Sequence, residues 1–251
     1  ENEKPPLLVL SHGGPTSSCT IALNLKQVQY FTSRGFAVVD VNYRGSTGFG
    51  KVYRDSLKGN WGVYDMDDCI SAAHFLADKG LVDRARLIIK GGSAGGYTTI
   101  NALTFRDDFA VGATYYGIAD LSVFIGDTHK FESKYLESLI GPYSENKSLY
   151  HERSAINYTD HLSCPMIIFQ GSEDKIVPPS QAEMISNALK KKLIPYSYIL
   201  FEGEQHGFRK SENIIKSQEA ELFFYGKTLG FTPSDKIAPI KIENSEFLRT
   251  E

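Results

Sequence analysis

Leu87-Ile88-Ile89-Lys90-Gly91-Gly92-Ser93-Ala94-Gly95-Gly96-Tyr97 decides how the rest of the chain is read. The apolar run Leu87–Lys90 has the character of a buried strand, and Tyr97 to Leu103 that of a helix. Between them stands Gly-x-Ser-x-Gly, centred on Ser93. A serine on so sharp a strand-to-helix turn has a strained backbone, and flanking side chains would collide with neighbouring main chain. Glycine there removes the collision and lets the Ser93 hydroxyl stand clear as a nucleophile. The plain alternative is a tight glycine-rich turn without chemistry.

Outward from this point, short apolar runs recur at Leu7–Ser11, Phe36–Asn42, Val111–Tyr116, Met166–Gln170 and Tyr196–Phe201. Their near-continuous apolarity predicts strands covered on both faces, as in a parallel sheet. Helical periodicity lies between them. In Asp65–Lys79, Met66, Cys69, Ile70, Ala73, Leu76 and Ala77 share one face, acids lead the first turn, and Gly80 stands where a helix stops. Ser180 and Glu183, after Pro178 and Pro179, read as a capping box, with Ala182, Ile185, Ala188 and Leu189 as the buried stripe. Lys190–Lys192 then places cations at that helix's C-terminus, where the dipole favours them. The alternation predicts an α/β chain with a doubly wound, mostly parallel sheet and right-handed crossovers. Chemistry in such sheets is sought at the carboxyl ends of the strands.

A serine hydroxyl needs a base. His206, in Glu204-Gln205-His206-Gly207-Phe208, follows the last strand and is the candidate. His74 falls within an amphipathic helix and reads as structural, while His129, His151 and His161 follow no clear strand end. The imidazole in turn needs a carboxylate, and Asp174 follows the strand Met166–Gln170, with Glu173 as its local rival. The order Ser93, Asp174, His206 is that of the α/β-hydrolase fold. The tetrahedral oxyanion needs preorganised donors. The expected pair is the N–H of Ala94, at the start of the nucleophile helix, and that of Gly13, in His12-Gly13-Gly14-Pro15 after the first strand. His12 is expected to orient this loop through a ring hydrogen bond.

Composition excludes several classes. Of 251 residues, 41% are hydrophobic and 23% charged, which is globular usage rather than disordered or fibrous. The formal charge of −3 gives no general attraction to nucleic acid or anionic lipid, and neither is an expected partner. No apolar run reaches the ~18 residues of a membrane helix. Cys19, Cys69 and Cys164 form no CxxC pair and suggest neither a disulfide framework nor a zinc site. Reduced, mostly buried thiols in a cytoplasmic protein are the expectation, with no metal or organic cofactor. The two glycosylation sequons, at Asn146 and Asn157, do not by themselves argue secretion.

With these residues in place, the sequence resembles the prolyl oligopeptidase family of serine peptidases. Four blocks carry the likeness: His12-Gly13-Gly14-Pro15, Asn42-Tyr43-Arg44-Gly45-Ser46-Thr47-Gly48, Gly91–Tyr97, and the Asp174 and His206 loops. It spans roughly Leu7 to Gly230. Within the family the chain is most similar to the acylaminoacyl-peptidase and dipeptidyl aminopeptidase branch, which Asp127-Thr128-His129-Lys130-Phe131-Glu132-Ser133 also resembles. Other branches have a tyrosine where His12 stands, and its hydroxyl helps form their oxyanion hole, so the departure favours the Gly13 main chain here. The resemblance implies a catalytic domain over residues 1–232, an N-terminal β-propeller of the same protein outside this chain, and a hydrolase sheet lacking its first two strands; residues 233–251, polar and poorly patterned, read as a partly ordered C-terminal extension with no catalytic part. Phe36–Asn42 would then be an edge strand, apolar and without a protective charge, on which copies could associate as a homo-oligomer.

The expected activity is cleavage of short peptides through an acyl-enzyme on Ser93, of dipeptidyl or acylaminoacyl type. A carboxylesterase or lipase-like hydrolase of small acyl esters is the alternative, since the same triad serves both. A non-catalytic binding module on the same fold is a third reading, opposed by the intact triad. By the resemblance, the pocket for the residue before the scissile bond would draw on Tyr115, Tyr116, Ile118, Leu121, Phe124 and Phe131, any of which could equally be core. Arg44 would either anchor a substrate carboxylate or hold its own loop by a salt bridge. Trp61 is expected to pack under that loop.

Overall fold

The computed structural model of the chain describes residues 3–20, 22, 27–127 and 130–248. Its strands are β1 (Leu7–Ser11), β2 (Ala37–Val41), β3 (Leu87–Gly92), β4 (Val111–Tyr115), β5 (Met166–Gly171) and β6 (Tyr196–Phe201). They form one sheet in the order β2-β1-β3-β4-β5-β6, and every pairing is parallel. Its helices are α1 (Val28–Thr32), α2 (Lys51–Asp55), α3 (Tyr64–Asp78), α4 (Ala94–Phe105), α5 (Leu121–Asp127), α6 (Lys130–Ile140), α7 (Tyr143–Glu152), α8 (Pro179–Lys191) and α9 (Ser211–Leu229).

The period of two along each strand feeds two cores. Val9, Ile89 and Ile168 face α3, α4 and α8 through Met66, Ile100 and Ile185. Leu8, Ile88 and Ile167 face α1 and α9 through Phe31 and Phe224. Both faces are therefore covered, which is why the strands read as unbroken apolar runs. Helix α4 runs through this interior, and from Ala94 to Thr104 it is buried throughout, so its sequence shows little amphipathic pattern. No helix among the described residues is long and apolar enough to cross a membrane.

Three local expectations are corrected. Ser180 and Glu183 form no capping box: α8 begins at Pro179 behind Pro178, with no side-chain cap bond. A proline at the first helical position needs no cap for an N–H it lacks, and this puts Ser180 inside the first turn. Strand β2 does lie at the sheet edge, but it is not without charge: Asp40 stands exposed on it and accepts the Cys19 thiol at 2.8 Å. Lys192 serves more than a dipole, since its ammonium donates to the carbonyls of Asp160 and Leu162.

Residues 233–248 do more than trail away. Ile237, Ile240 and Ile242 pack on the α9 side, Asp235 pairs with Arg34, and Glu243 exchanges main-chain bonds with Tyr196 at 2.8 and 3.1 Å. Those bonds engage the outer edge of β6. Cys69 and Cys164 are buried as expected, while Cys19 is partly open. Burial pushes the Cys164 thiol up to about 12, and burial with the Asp40 bond does the same for Cys19, so neither is a thiolate at neutral pH.

Candidate active site

The turn after β3 is built as its glycines require. Ser93 has φ 56° and ψ −121°, a left-handed position that a side chain rarely occupies. A Cβ on Gly91 would lie 2.2 Å from the Gly95 carbonyl oxygen, and one on Gly95 would lie 2.0 Å from the Ser11 carbonyl oxygen. Neither position admits a side chain unless main chain moves. The Ser93 N–H donates to Tyr115 O at 2.9 Å, fixing the turn to the end of β4.

Three groups far apart in sequence meet above the carboxyl ends of β3, β5 and β6. His206 Nε2 lies 2.8 Å from Ser93 Oγ, and His206 Nδ1 lies 2.8 Å from Asp174 Oδ2. A carboxylate only accepts, so Nδ1 carries the proton that faces Asp174, and Nε2 is left to accept from the serine. The Asp174 side chain is wholly buried, and Oδ1 accepts the N–H groups of Ile176 and Val177 at 2.9 Å each. Its rival Glu173 points to solvent. The loops carrying Asp174 and His206 are tied together: Glu173 N donates to Glu204 O, and Gly203 N to Ser172 Oγ, both at 2.9 Å.

The loop after β1 closes over the serine. A Cβ on Gly13 would come 3.1 Å from Gly92 O and 3.6 Å from Ser93 Cβ, so glycine permits the approach. Ala94 is the first residue of α4, where an N–H has no carbonyl one turn below it. His12 holds the loop as expected. Its ring stacks on Tyr43 at 4.2 Å and 14°, Nε2 meets Ser46 Oγ at 2.7 Å, and Nδ1 meets Gly13 O at 2.8 Å. Tyr43 OH donates to His12 O at 2.7 Å. Burial holds the His12 imidazole below its ordinary value, consistent with a neutral structural ring.

A cleft of about 740 Å³ opens beside the serine, bordered by His12, Gly13, Ser93, Tyr115, Tyr116 and His206 among others. Tyr116 forms a wall, its ring 4.6 Å from that of His206 and 5.7 Å from that of Phe208. Tyr115 borders the cleft from beneath, with its hydroxyl donating to buried Glu221 at 2.6 Å. Glu221 also pairs with Lys90 of β3 and accepts from Tyr225, so a buried ionic cluster lies beside the strand that leads to Ser93.

Other expected pocket residues are not brought to this cleft. Phe124, 1% exposed, is core, and so are Ile118 and Leu121, all three buried in the cluster that also holds Met66, Ile100 and Ile185. Arg44 forks onto Asp68, with bonds of 2.7 and 3.0 Å, and lies 3.7 Å over the Tyr64 ring. Of its two sequence readings, the structure shows the loop-holding salt bridge. The side chain of Phe131, and His129 altogether, lie outside the described residues. Trp61 packs on Tyr97 at 4.5 Å, and His74 pairs with Asp108 at 2.7 Å. Among the described residues no three His, Cys, Asp or Glu side chains are grouped to hold a metal ion.

Gln170 and Glu204 were missed. Gln170 was legible as the one polar residue of the β5 run. Glu204, 2% exposed, accepts the N–H groups of Arg209 and Lys210 and the Asn213 amide at 2.8–3.0 Å, closing the His206 loop onto α9. Nothing local distinguished it from a solvated loop acid.

A parallel sheet with Ser93 on a glycine-flanked strand-to-helix turn, and with Asp174 and His206 in the loops after later strands, defines an α/β-hydrolase fold. The chain belongs to the prolyl oligopeptidase family, which it matches over residues 22–232. It is 34% identical over 214 residues to dipeptidyl aminopeptidase BIII of Pseudoxanthomonas mexicana, covering 83% of this chain and 31% of that protein. It is 30% identical to acylamino-acid-releasing enzyme 1 of Oryza sativa subsp. japonica, covering 84% of this chain and 28% of the relative. Among solved structures, a puromycin-hydrolyzing peptidase of Mycobacterium tuberculosis superposes with a TM-score of 0.94 at 50% identity, over 97% of this chain and 37% of that one. The chain thus spans about a third of the length of these relatives.

Proposed function

We propose that the chain carries the catalytic machinery of a serine peptidase acting on short peptides, with Ser93 as nucleophile, His206 as general base and acid, and Asp174 as the group that orients and stabilises the imidazole. The observation that supports this best is the unbroken relay of two 2.8 Å hydrogen bonds from hydroxyl to carboxylate. His206 Nε2 takes the Ser93 proton as Oγ attacks the scissile carbonyl, and the imidazolium so formed faces the Asp174 anion. The oxyanion is received by the N–H groups of Gly13 and Ala94. His206 then returns the proton to the leaving amine, and water, deprotonated by the same nitrogen, releases the acyl group from Ser93. Tyr115 and Tyr116 border the space beside the acyl carbon. An upstream β-propeller that admits only short chains belongs to the same reading.

The test is covalent and kinetic. A fluorophosphonate should label Ser93, read by peptide mass, and Ser93→Ala should abolish labelling and turnover with little change in melting temperature. Parental turnover in that variant refutes the assignment of the nucleophile. Full-length protein should cleave peptide p-nitroanilides. Strong turnover of p-nitrophenyl esters with none of the anilides would replace the peptidase reading with an esterase.

A further inference from the structure

The catalytic carboxylate has a neighbour that the relay itself does not explain. Gln170, on β5, is fully buried. Its Nε2 donates to Val177 O at 3.0 Å and to Asp174 Oδ2 at 3.3 Å, with Gly171 O at 3.4 Å. All three are acceptors, so the amide has one tenable orientation: rotated by half a turn, its oxygen would face two carbonyls and a carboxylate. In the orientation present, Oε1 is buried and has no hydrogen-bond partner among the described residues. A buried amide oxygen without a partner carries a desolvation cost, and an apolar side chain of similar size would avoid it. The site keeps the amide nonetheless, and what the amide supplies is an N–H directed at the oxygen that serves His206.

We propose that Gln170 is a positioning residue for Asp174, acting through its Nε2 donor on Oδ2. This inference rests on the reading of Ser93, His206 and Asp174 as the catalytic triad. The two N–H groups of Ile176 and Val177 fix Oδ1. They restrain the carboxylate at one oxygen and leave rotation about that contact. A donor on Oδ2 from Gln170, at the carboxyl end of β5, removes that freedom, and Val177 O, held by the same Nε2, locks the donor to the loop it steadies. The carboxylate then presents Oδ2 to His206 Nδ1 in a single geometry, and the imidazole keeps Nε2 on the serine. A shift of well under an ångström at Asp174 is enough to misalign that contact.

The experiment measures the second-order rate of fluorophosphonate labelling of Ser93, and the kcat and KM for a p-nitrophenyl ester, in the parent, Gln170→Met and Gln170→Glu. Rates are taken per folded molecule, well below each melting temperature. Gln170→Met keeps the volume and removes both the donor and the orphaned oxygen. Its labelling rate and kcat should fall about tenfold, with KM unchanged and the melting temperature close to the parent's. Gln170→Glu places oxygen where Nε2 was, opposite a second carboxylate, and should lower both rates further at pH 8 while leaving a cooperative melt. If both variants label Ser93 at the parental rate, Gln170 serves only to hold the turn and the inference is wrong, whatever happens to stability. A parent that neither labels nor turns over ester would instead overturn the triad reading, and this inference with it.

Discussion

Asp65→Asn is the most informative stability test the fold offers. Asp65 lies in the first turn of α3, where acids are usually solvated, yet it is wholly buried. Oδ1 accepts the Gly62 N–H at 2.6 Å and Oδ2 accepts the Thr98 hydroxyl at 2.5 Å. Desolvation outweighs these bonds and pushes the carboxyl from its ordinary 3.8 up to about 6. A proton is then held more tightly in the folded chain than in the unfolded one. The resulting stability is fully present below 3.8 and is lost as pH rises through about 6. At 1.36 kcal/mol for each pH unit between 3.8 and about 6, this is worth about 3 kcal/mol. Asparagine has no such titration and can keep the contacts: its oxygen accepts from Gly62, its amide donates to Thr98, and the Thr98 proton turns to Ala94 O, 3.1 Å away. Urea unfolding of the two proteins from pH 4 to pH 8 should therefore show Asp65→Asn gaining on the parent across that window by up to about 3 kcal/mol. A difference that stays flat with pH would refute a buried, titrating Asp65. Because Thr98 sits on α4, the same series shows whether the α3–α4 contact is sensitive to mild acid.

The remaining predictions concern backbone and buried charge. Gly95→Ala drives a Cβ to 2.0 Å from Ser11 O, and should cost more than about 3 kcal/mol or abolish soluble folding, read by urea titration; a stable, active variant would contradict the close approach of β1 and α4. Lys90→Met strands the buried Glu221 carboxylate and should cost about 3–5 kcal/mol, part of which Lys90→Met/Glu221→Gln should recover by removing the charge. Equal stability of the single and double variants would mean that the cluster is not ionised. Burial opposes ionisation of Glu204, but its Asn213, Arg209 and Lys210 donors prevail and hold the carboxyl below 4.5. Its contribution is present above 4.5 and is lost as pH falls, so Glu204→Gln should flatten the acid side of the stability profile, which acid titration by circular dichroism would show.

Much of the fold was legible because burial leaves a mark in composition. Strands covered on both faces must be apolar at successive positions, and the six runs read from the sequence coincide with β1–β6 to within two residues at each end. The Ser93 turn was legible for a steric reason, since only glycine survives where a Cβ would meet main chain at 2.0–2.2 Å. The pocket was not. Phe124, Ile118 and Leu121 are apolar whether they line a cleft or fill a core, and only the packing of α5 inward distinguishes the two. Arg44 carries the same charge in a substrate anchor as in a salt bridge, and the Asp68 partner, 24 residues away in sequence, decides it. The capping box failed because proline is itself accepted at the first helical position, so the helix begins at Pro179 and Ser180 falls inside its first turn.

By itself the amino-acid order determined the fold class, the Ser93 turn and the shortlist that holds Asp174 and His206, because each rests on local sterics or on period-two burial that short stretches of chain express. Only the tertiary structure decided which groups share a hydrogen bond: that His206 reaches both Ser93 and Asp174, that Glu173 faces water, and that Gln170 turns its amide onto the acid. Hydrogen bonding is lost within an ångström of its optimum, and positions 32–113 residues apart acquire that precision only when the strands beneath them are in register.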